Sequence, residues 1–454
     1  MNNNLNQQHK LEGDVNISLK RKKWQSENLD EKTWSLLKDD EKYFLKQSLS
    51  TPCLNGLRKA KGIYIEDIEG RKYIDFHGNN VHQVGFGNHD VINAIKRQLD
   101  ELPFCTRRYT NRMVVDFAKK LTELAPDNLN KVLFAPGGAE AVSMAIKLAR
   151  VYTGRYKIIT MWDSFHGATL DTISVGGEAI FRQNMGPLMT GIEHVPPPDS
   201  YRRFMNIGTP KEWEILWAKY VEYILEKEGD VAAVLSEPVR STPYVPSSEY
   251  WQIIRDACNR HGALLIFDEI PHALGRTGKW FTCQNFNVTP DILCVGKGLG
   301  GGIFPIAGII ADEKLDVASD RALGHFTHEK SPVGAAAGLA TIKFIEKNNL
   351  LNHVRVLGEQ SLEKLNEMME KHRTIGSVRG IGLLLGIELV KDKKSREPAL
   401  EEAEEVMYRC LSKGISFKLT MGNIITLTPA LVISEEEMMD ALKIIDEVIG
   451  EIEG

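Results

Sequence analysis

Four short stretches of this chain carry side chains able to do chemistry together. In "ALLIFDEIPHALGRTGK" (Ala263 to Lys279) an apolar run ends in two acids, Asp268 and Glu269. An ionised carboxylate at the tip of a buried strand is costly unless a cation meets it. In "ILCVGKGLGGG", Lys297 follows a second apolar run. A lysine in that position is paired or reacting, and a desolvated amine is the group that forms Schiff bases. "FAPGGAEAVSMAIKLAR" reads as a strand, a glycine turn and a helix, in which Gly137 and Gly138 let backbone N–H groups approach an anion. "WDSFHGATLD" sets Phe165 and His166 in the loop after the next strand. Taken singly, each has a plainer explanation: a structural Gly-Gly turn, a core aromatic, a hydrogen-bonded histidine.

Nucleotide readings of the glycine runs fit poorly. Gly296, Gly298 and Gly301 match G-x-G-x-x-G, but the following "IFPIAGII" reads as a strand with a proline where a helix is needed. A phosphate-binding P-loop fails because Gly298 stands where Ser or Thr must follow Gly-Lys. A pyridoxal phosphate site, in contrast, needs an anion cradle, an aromatic for the ring, an acid for the ring nitrogen and an amine for the aldehyde. All four parts are present in order. Asp268 would meet the protonated ring nitrogen, which answers the question its burial raises.

The elements that must position these residues alternate along the chain. Helices are expected over Asp90 to Leu102, Arg112 to Leu124, Glu140 to Tyr152 and through Trp251 to His261, with strands at "KVLFA", "KIITM", "VAAVLSEP", "ALLIFDE" and "DILCVGKG". Short apolar strands alternating with helices indicate an α/β fold, a mostly parallel sheet between helices, with ligands at the strands' carboxyl ends. "GIYIEDIEGRKYIDF" is a hairpin signal. Before it, residues 1 to about 50 read as an N-terminal arm with helical pieces. After about residue 340, "GIGLLLGIELV", a charged helix (Pro398 to Lys413), "ISFKLT", "IITLTP" and a last helix after Ser434 form a smaller α+β unit. The expected division is 1–72, arm and part of the small domain; 73–339, the large cofactor domain; and 340–454, the C-terminal small domain.

Composition narrows the class. The 454 residues carry a net charge of −5, with 43% apolar and 26% charged residues, as in globular proteins. The basic "LKRKKW" reads as a solvated helix face, so no nucleic-acid partner is expected. The longest apolar stretch, "GGIFPIAGIIA", is far too short to span a bilayer. The start "MNNNLNQQHK" lacks the apolar core of a signal peptide. Six scattered cysteines without C-x-x-C and twelve histidines without H-E-x-x-H indicate neither a disulfide framework nor a metal site. A cytoplasmic location is expected.

From about Gly62 to Ile449 the chain resembles the class III aminotransferases, within the fold-type I pyridoxal phosphate enzymes. "FDEIPHALGRTG" is similar to the family's D-E-V-Q-T-G-F-G-R-T-G, and "GKGLGGGIFPIAG" to its lysine segment. The resemblance implies pyridoxal 5'-phosphate, Asp268 at the ring nitrogen and Lys297 as Schiff-base lysine and proton shuttle. It also implies Phe165 stacked on one ring face with His166 beside it, and Ile270 on the other face. "GGAEA" matches S-G-S-E-A, so Gly138 and Ala139 would bind phosphate through N–H groups. "HFTHEKSP" nominates Thr327 for the phosphate of a neighbouring subunit, implying a homodimer with the active site at the subunit interface. Glu237 in "SEPV" matches a position near the cofactor. Three departures stand out. Ala139 replaces a hydroxyl residue, Pro271 replaces Gln, and Thr426 replaces the Arg that clamps a substrate carboxylate.

The implied reaction is transfer of an amino group from a small primary amine, an ω-amino acid or aminophosphonate. The same constellation supports elimination. "DFHGNNVHQVGFG", "RSTPYVP" and "FKLTMGNIITLTP" resemble a bacterial branch associated with (R)-1-hydroxy-2-aminoethylphosphonate ammonia-lyase, which yields phosphonoacetaldehyde and ammonia. Racemisation or epimerisation of an amino acid is a further alternative, through the same carbanion. A phosphonate needs cations, and Arg107, Arg108 and Arg240 lie in loops able to supply them; Arg107 and Arg240 are the substrate candidates.

Overall fold

The computed structural model describes residues 17–205 and 207–454, so the first sixteen residues of the expected arm lie outside the described residues. The chain divides into two compact units. Among the described residues, 17–87, 241–243 and 353–454 form one; 88–205, 207–240 and 244–352 form the other. The expected boundaries at 72/73 and 339/340 lie short of these. The hairpin and the loop after it stay with the smaller unit, while the helix Pro332–Lys347 stays with the larger.

The smaller unit opens with helices Leu19–Asn28 and Glu31–Tyr43, whose caps Ser18 and Asp30 accept from the N–H groups of Arg21 and Thr33. Strands β1 (Leu57–Lys61), β2 (Tyr64–Asp67) and β3 (Lys72–Asp75) follow, the hairpin read from the sequence lying between β2 and β3.

In the larger unit, seven strands build one sheet: β4 (Leu129–Ala135), β5 (Lys157–Met161), β6 (Ile192–Val195), β7 (Val231–Ser236), β8 (Leu264–Asp268), β9 (Ile292–Val295) and β10 (Ala307–Asp312). Their order is β4-β10-β9-β8-β7-β5-β6. All pairings are parallel except those of β10, which runs antiparallel to both β4 and β9. Every residue of β7, β8 and β9 is buried. These strands therefore read as unbroken apolar runs, because both faces are covered.

Helix Gly138–Thr153 lays Ala141, Ala145, Ile146 and Ala149 into a core shared with Ile158, Leu235, Ile266 and Cys294. Small residues on that stripe let it lie close to the sheet. Helix Pro210–Glu228 was not among the expected elements. Its start, Thr209 with Glu212 three positions on and Pro210 between, is a capping box with proline at the first turn. Strand β6 was also passed over; with only four residues, three of them half-exposed, its apolar signal is weak.

Returning to the smaller unit, β11 (Ile375–Ile381) and β12 (Leu384–Leu389) split "GIGLLLGIELV" into a hairpin. Strand β13 (Ile415–Ser416) joins β3 in parallel, and β14 (Lys418–Thr420) and β15 (Ile424–Leu427) complete a four-stranded sheet with β11 and β12. Helices Leu400–Ser412 and Glu435–Glu453 accompany it. Among the described residues no helix is long and apolar enough to cross a membrane.

Candidate active site

Strands β5, β7, β8 and β9 run parallel, and two antiparallel steps through β10 restore the same direction in β4. The loops at their carboxyl ends therefore share one edge of the sheet. That edge carries Gly137–Ala139, Phe165–His166, Glu237, Asp268–Ile270 and Lys297.

Asp268 is 2% exposed and has two protein partners. Its Oδ2 lies 2.8 Å from His166 Nδ1, and its Oδ1 accepts from the Ile270 N–H at 3.1 Å. A carboxylate has about four lone-pair directions, so acceptor capacity remains for a further cation. His166 Nε2 is buried and has no hydrogen-bond partner among the described residues. His166 thus braces the acid. Cys294, opposite Asp268 in the β8–β9 pairing, has its thiol pushed well above the ordinary range by burial and by the Asp268 charge.

Three loops converge on Ile270. A Cβ placed on Gly138 would lie 3.0 Å from Ile270 Cδ1, and one on Gly296 3.3 Å from Ile270 Cγ2. The helix start and the residue before Lys297 therefore meet at one side chain. A Cβ on Gly167 would lie 2.7 Å from that of Ala139. This close approach, with φ +125 at Gly167, is the physical reason residue 167 carries no side chain. Helix Gly138–Thr153 begins at Gly137 with no side-chain cap bond, which leaves its first N–H groups for an anion.

Lys297 follows β9 at φ +47, in the left-handed region that a side chain rarely adopts. Backbone held in such a conformation clusters at functional sites. Phe165 is half-buried, with the Phe181 ring 4.8 Å behind it.

Glu237 accepts from Arg240 Nη1 at 3.1 and 2.9 Å, and Arg240 Nη2 donates to Glu178 at 2.5 Å. Arg240 is 1% exposed, so its guanidinium faces carboxylates rather than an open cleft. Thr327 and Arg107 stand on other segments. Thr327 is exposed in the loop after β10, and Arg107 is half-buried beyond Phe104, whose ring meets that of His328 at 5.3 Å. Arg107 Nη1 is buried without a hydrogen-bond partner among the described residues; Arg108 is exposed. In the smaller unit, the Thr426 hydroxyl is bonded to that of Thr420 at 2.8 Å.

Two residues escaped the sequence reading in their roles. Glu269 accepts from the N–H groups of Thr282 and Cys283 at 2.5 and 2.7 Å, pinning the loop after "GRTG"; burial pushes its carboxyl up to about 7 against the pull of those donors. Its place beside Asp268 was the available signal. Glu178 had none, since its partner lies 62 positions away. No group of three or more His, Cys, Asp or Glu able to hold a metal occurs among the described residues.

The uncapped helix start, the braced acid with spare acceptor capacity, the half-buried aromatic and the lysine at one sheet edge fit pyridoxal phosphate. A model of the family described as "Aminotransferase class-III" matches residues 47–449. The chain is 49% identical over 455 residues to (R)-1-hydroxy-2-aminoethylphosphonate ammonia-lyase of Vibrio splendidus (strain 12B01), covering 97% of this chain and 95% of that one. It is 36% identical over 406 residues to leucine/methionine racemase of Thermococcus litoralis, covering 87% and 90%. Among solved structures, a thermostable (S)-enantioselective omega-transaminase from Thermomicrobium roseum superposes with a TM-score of 0.86 at 28% identity, covering 92% of this chain and 98% of that one. The chain belongs to the class III aminotransferase family and is a pyridoxal 5'-phosphate enzyme.

Proposed function

We propose that this enzyme releases ammonia from (R)-1-hydroxy-2-aminoethylphosphonate. The observation that carries the reading is 49% identity across 97% of the chain with the ammonia-lyase that acts on that compound. Thr426, in place of an arginine clamp, supports a substrate without an α-carboxylate. Net, the substrate yields phosphonoacetaldehyde and ammonia: water lost in elimination is regained in hydrolysis, so no amino acceptor is consumed.

When bound, pyridoxal phosphate supplies an aldehyde for the amine and a protonated ring that draws electron density from the carbon beside nitrogen. Asp268 would hold the proton on the ring nitrogen. His166 keeps that carboxylate oriented, and Phe165 and Ile270 confine the ring. The N–H groups of Gly138 and Ala139 would take the cofactor phosphate. Lys297 Nζ is the amine that would hold the cofactor's aldehyde, and it would serve as the base for the proton beside the substrate nitrogen. Arg107 offers a cation to the phosphonate. Thr327 would contribute to holding the cofactor phosphate of the second subunit in a homodimer, which sedimentation at enzyme concentrations would register. Six free cysteines suit a cytoplasmic setting.

The test is an ammonia assay on the purified, cofactor-loaded enzyme with this substrate and no oxo acid. Ammonia accumulating over many turnovers is the expected result. Turnover that appears only when pyruvate is added would overturn elimination in favour of transamination.

A further inference from the structure

The ion cluster at the end of β7 takes no part in the reaction proposed above, yet its three members are among the most buried charged groups of the larger unit. Arg240, Glu178 and Glu237 are 1%, 2% and 6% exposed. A buried ion cluster is a poor source of stability, because desolvation offsets the Coulomb attraction. What it supplies is direction: the planar guanidinium fork holds two carboxylates at set angles.

Those two carboxylates sit on different segments. Glu237 directly follows β7. Glu178 belongs to a stretch, Gly176 to Arg182, that supports the Phe165–His166 loop from behind. The Gly177 N–H donates to Ser164 O at 2.8 Å. A Cβ on Gly177 would lie 2.6 Å from Met161 O, so the stretch sits against the loop with no slack. Phe181 packs its ring on Phe165 at 4.8 Å, and Arg182 Nη1 donates to the carbonyls of Ile173 and Ser174 at 3.1 and 2.9 Å. A continuous set of contacts therefore runs from Glu237 through Arg240, Glu178, Gly177 and Phe181 to Phe165, and from His166 to Asp268.

We infer that Arg240 is a positioning residue for the cofactor: by holding Glu178 to Glu237 it sets the level of the Phe165 ring and the aim of His166 at Asp268. The inference rests on Phe165 as the stacking residue and is independent of which amine reacts. A platform displaced by about 1 Å costs on the order of a hundredfold in rate.

The experiment compares cofactor-loaded wild type, Arg240→Lys, Arg240→Met and Glu178→Gln by visible circular dichroism of the bound cofactor, by pyridoxal phosphate titration, and by kcat and KM. The expected result is a folded Arg240→Lys enzyme with weakened visible dichroism, about tenfold weaker cofactor binding, and a lower kcat at near-constant KM. Wild-type dichroism and cofactor affinity in Arg240→Lys and Glu178→Gln would overturn the inference, even if Arg240→Met failed to fold. A raised KM with unchanged dichroism would also overturn it, since Arg240 would then contact substrate. A Phe165→Ala enzyme with unaltered dichroism would instead remove the stacking role, and with it the basis of the inference.

Discussion

At the scale of single residues, the two acids that close β8 divide their work. Asp268 is bonded to His166 and the Ile270 N–H and keeps room for a cation, whereas Glu269 spends both oxygens on backbone donors. Neighbours in sequence thus serve the cofactor and the loop respectively. Replacing Glu269 by Gln turns one acceptor into a donor facing an N–H, and the expected loss is roughly 1–3 kcal/mol of stability by denaturant titration. Lys297→Ala removes both the covalent anchor and the base. Activity should fall by at least the ~10²–10⁴-fold associated with proton transfer, and mass spectrometry after borohydride reduction should find no cofactor on the chain. Wild-type turnover in that variant would contradict the assignment of Lys297.

At the scale of elements, helix Pro332–Lys347 crosses helix Arg112–Leu124 at Gly338, where a Cβ would collide with the Phe117 ring. Phe117 is itself stacked on Phe134 of β4 at 5.1 Å and has nowhere to retreat. Gly338→Ala should therefore cost about 1–3 kcal/mol by overpacking, measured as a lower denaturation midpoint at unchanged slope. Most elements here were legible from periodicity: β7, β8 and β9 as continuous apolar runs, and Arg112–Leu124 from its regular apolar spacing. The antiparallel course of β10 was not. All its residues but Asp312 are buried, like those of the parallel β7, β8 and β9, and its direction follows from a connection to β9 that carries no crossover helix rather than from composition.

At the scale of the whole molecule, pH acts through buried groups. His194 stacks on Trp162 at 4.3 Å and lies beside the Arg182 guanidinium; burial, then that charge, hold it down to about 4 from 6.5. Protons therefore bind the unfolded chain more readily between those values. Its contribution is complete above pH 6.5 and lost as pH falls toward 4. Wild type should lose stability relative to His194→Gln across that window, seen in melting temperatures at matched pH; parallel curves would contradict this. In the smaller unit, Asp446 and Glu453 flank His372 at 2.6 and 3.1 Å, and both carboxyls are held below their usual range. Their stabilisation adds to the loss at acid pH, since it fades as pH falls through the lowered values.

Residue types and spacing determined by themselves that a lysine, an acid, an aromatic and a glycine turn each follow a strand, and hence that they gather at one sheet edge. Local backbone preference and apolar burial suffice for that inference, and the likeness to class III aminotransferases followed from the same motifs. The tertiary structure alone decided whom each buried charge meets. His166 reaches Asp268 across 102 positions, and Arg240, read from sequence as a substrate cation, is taken by Glu178 and Glu237. The reason is physical: the cost of burying a charge demands a partner, but it does not say which one, and only the three-dimensional path of the chain brings that partner within reach.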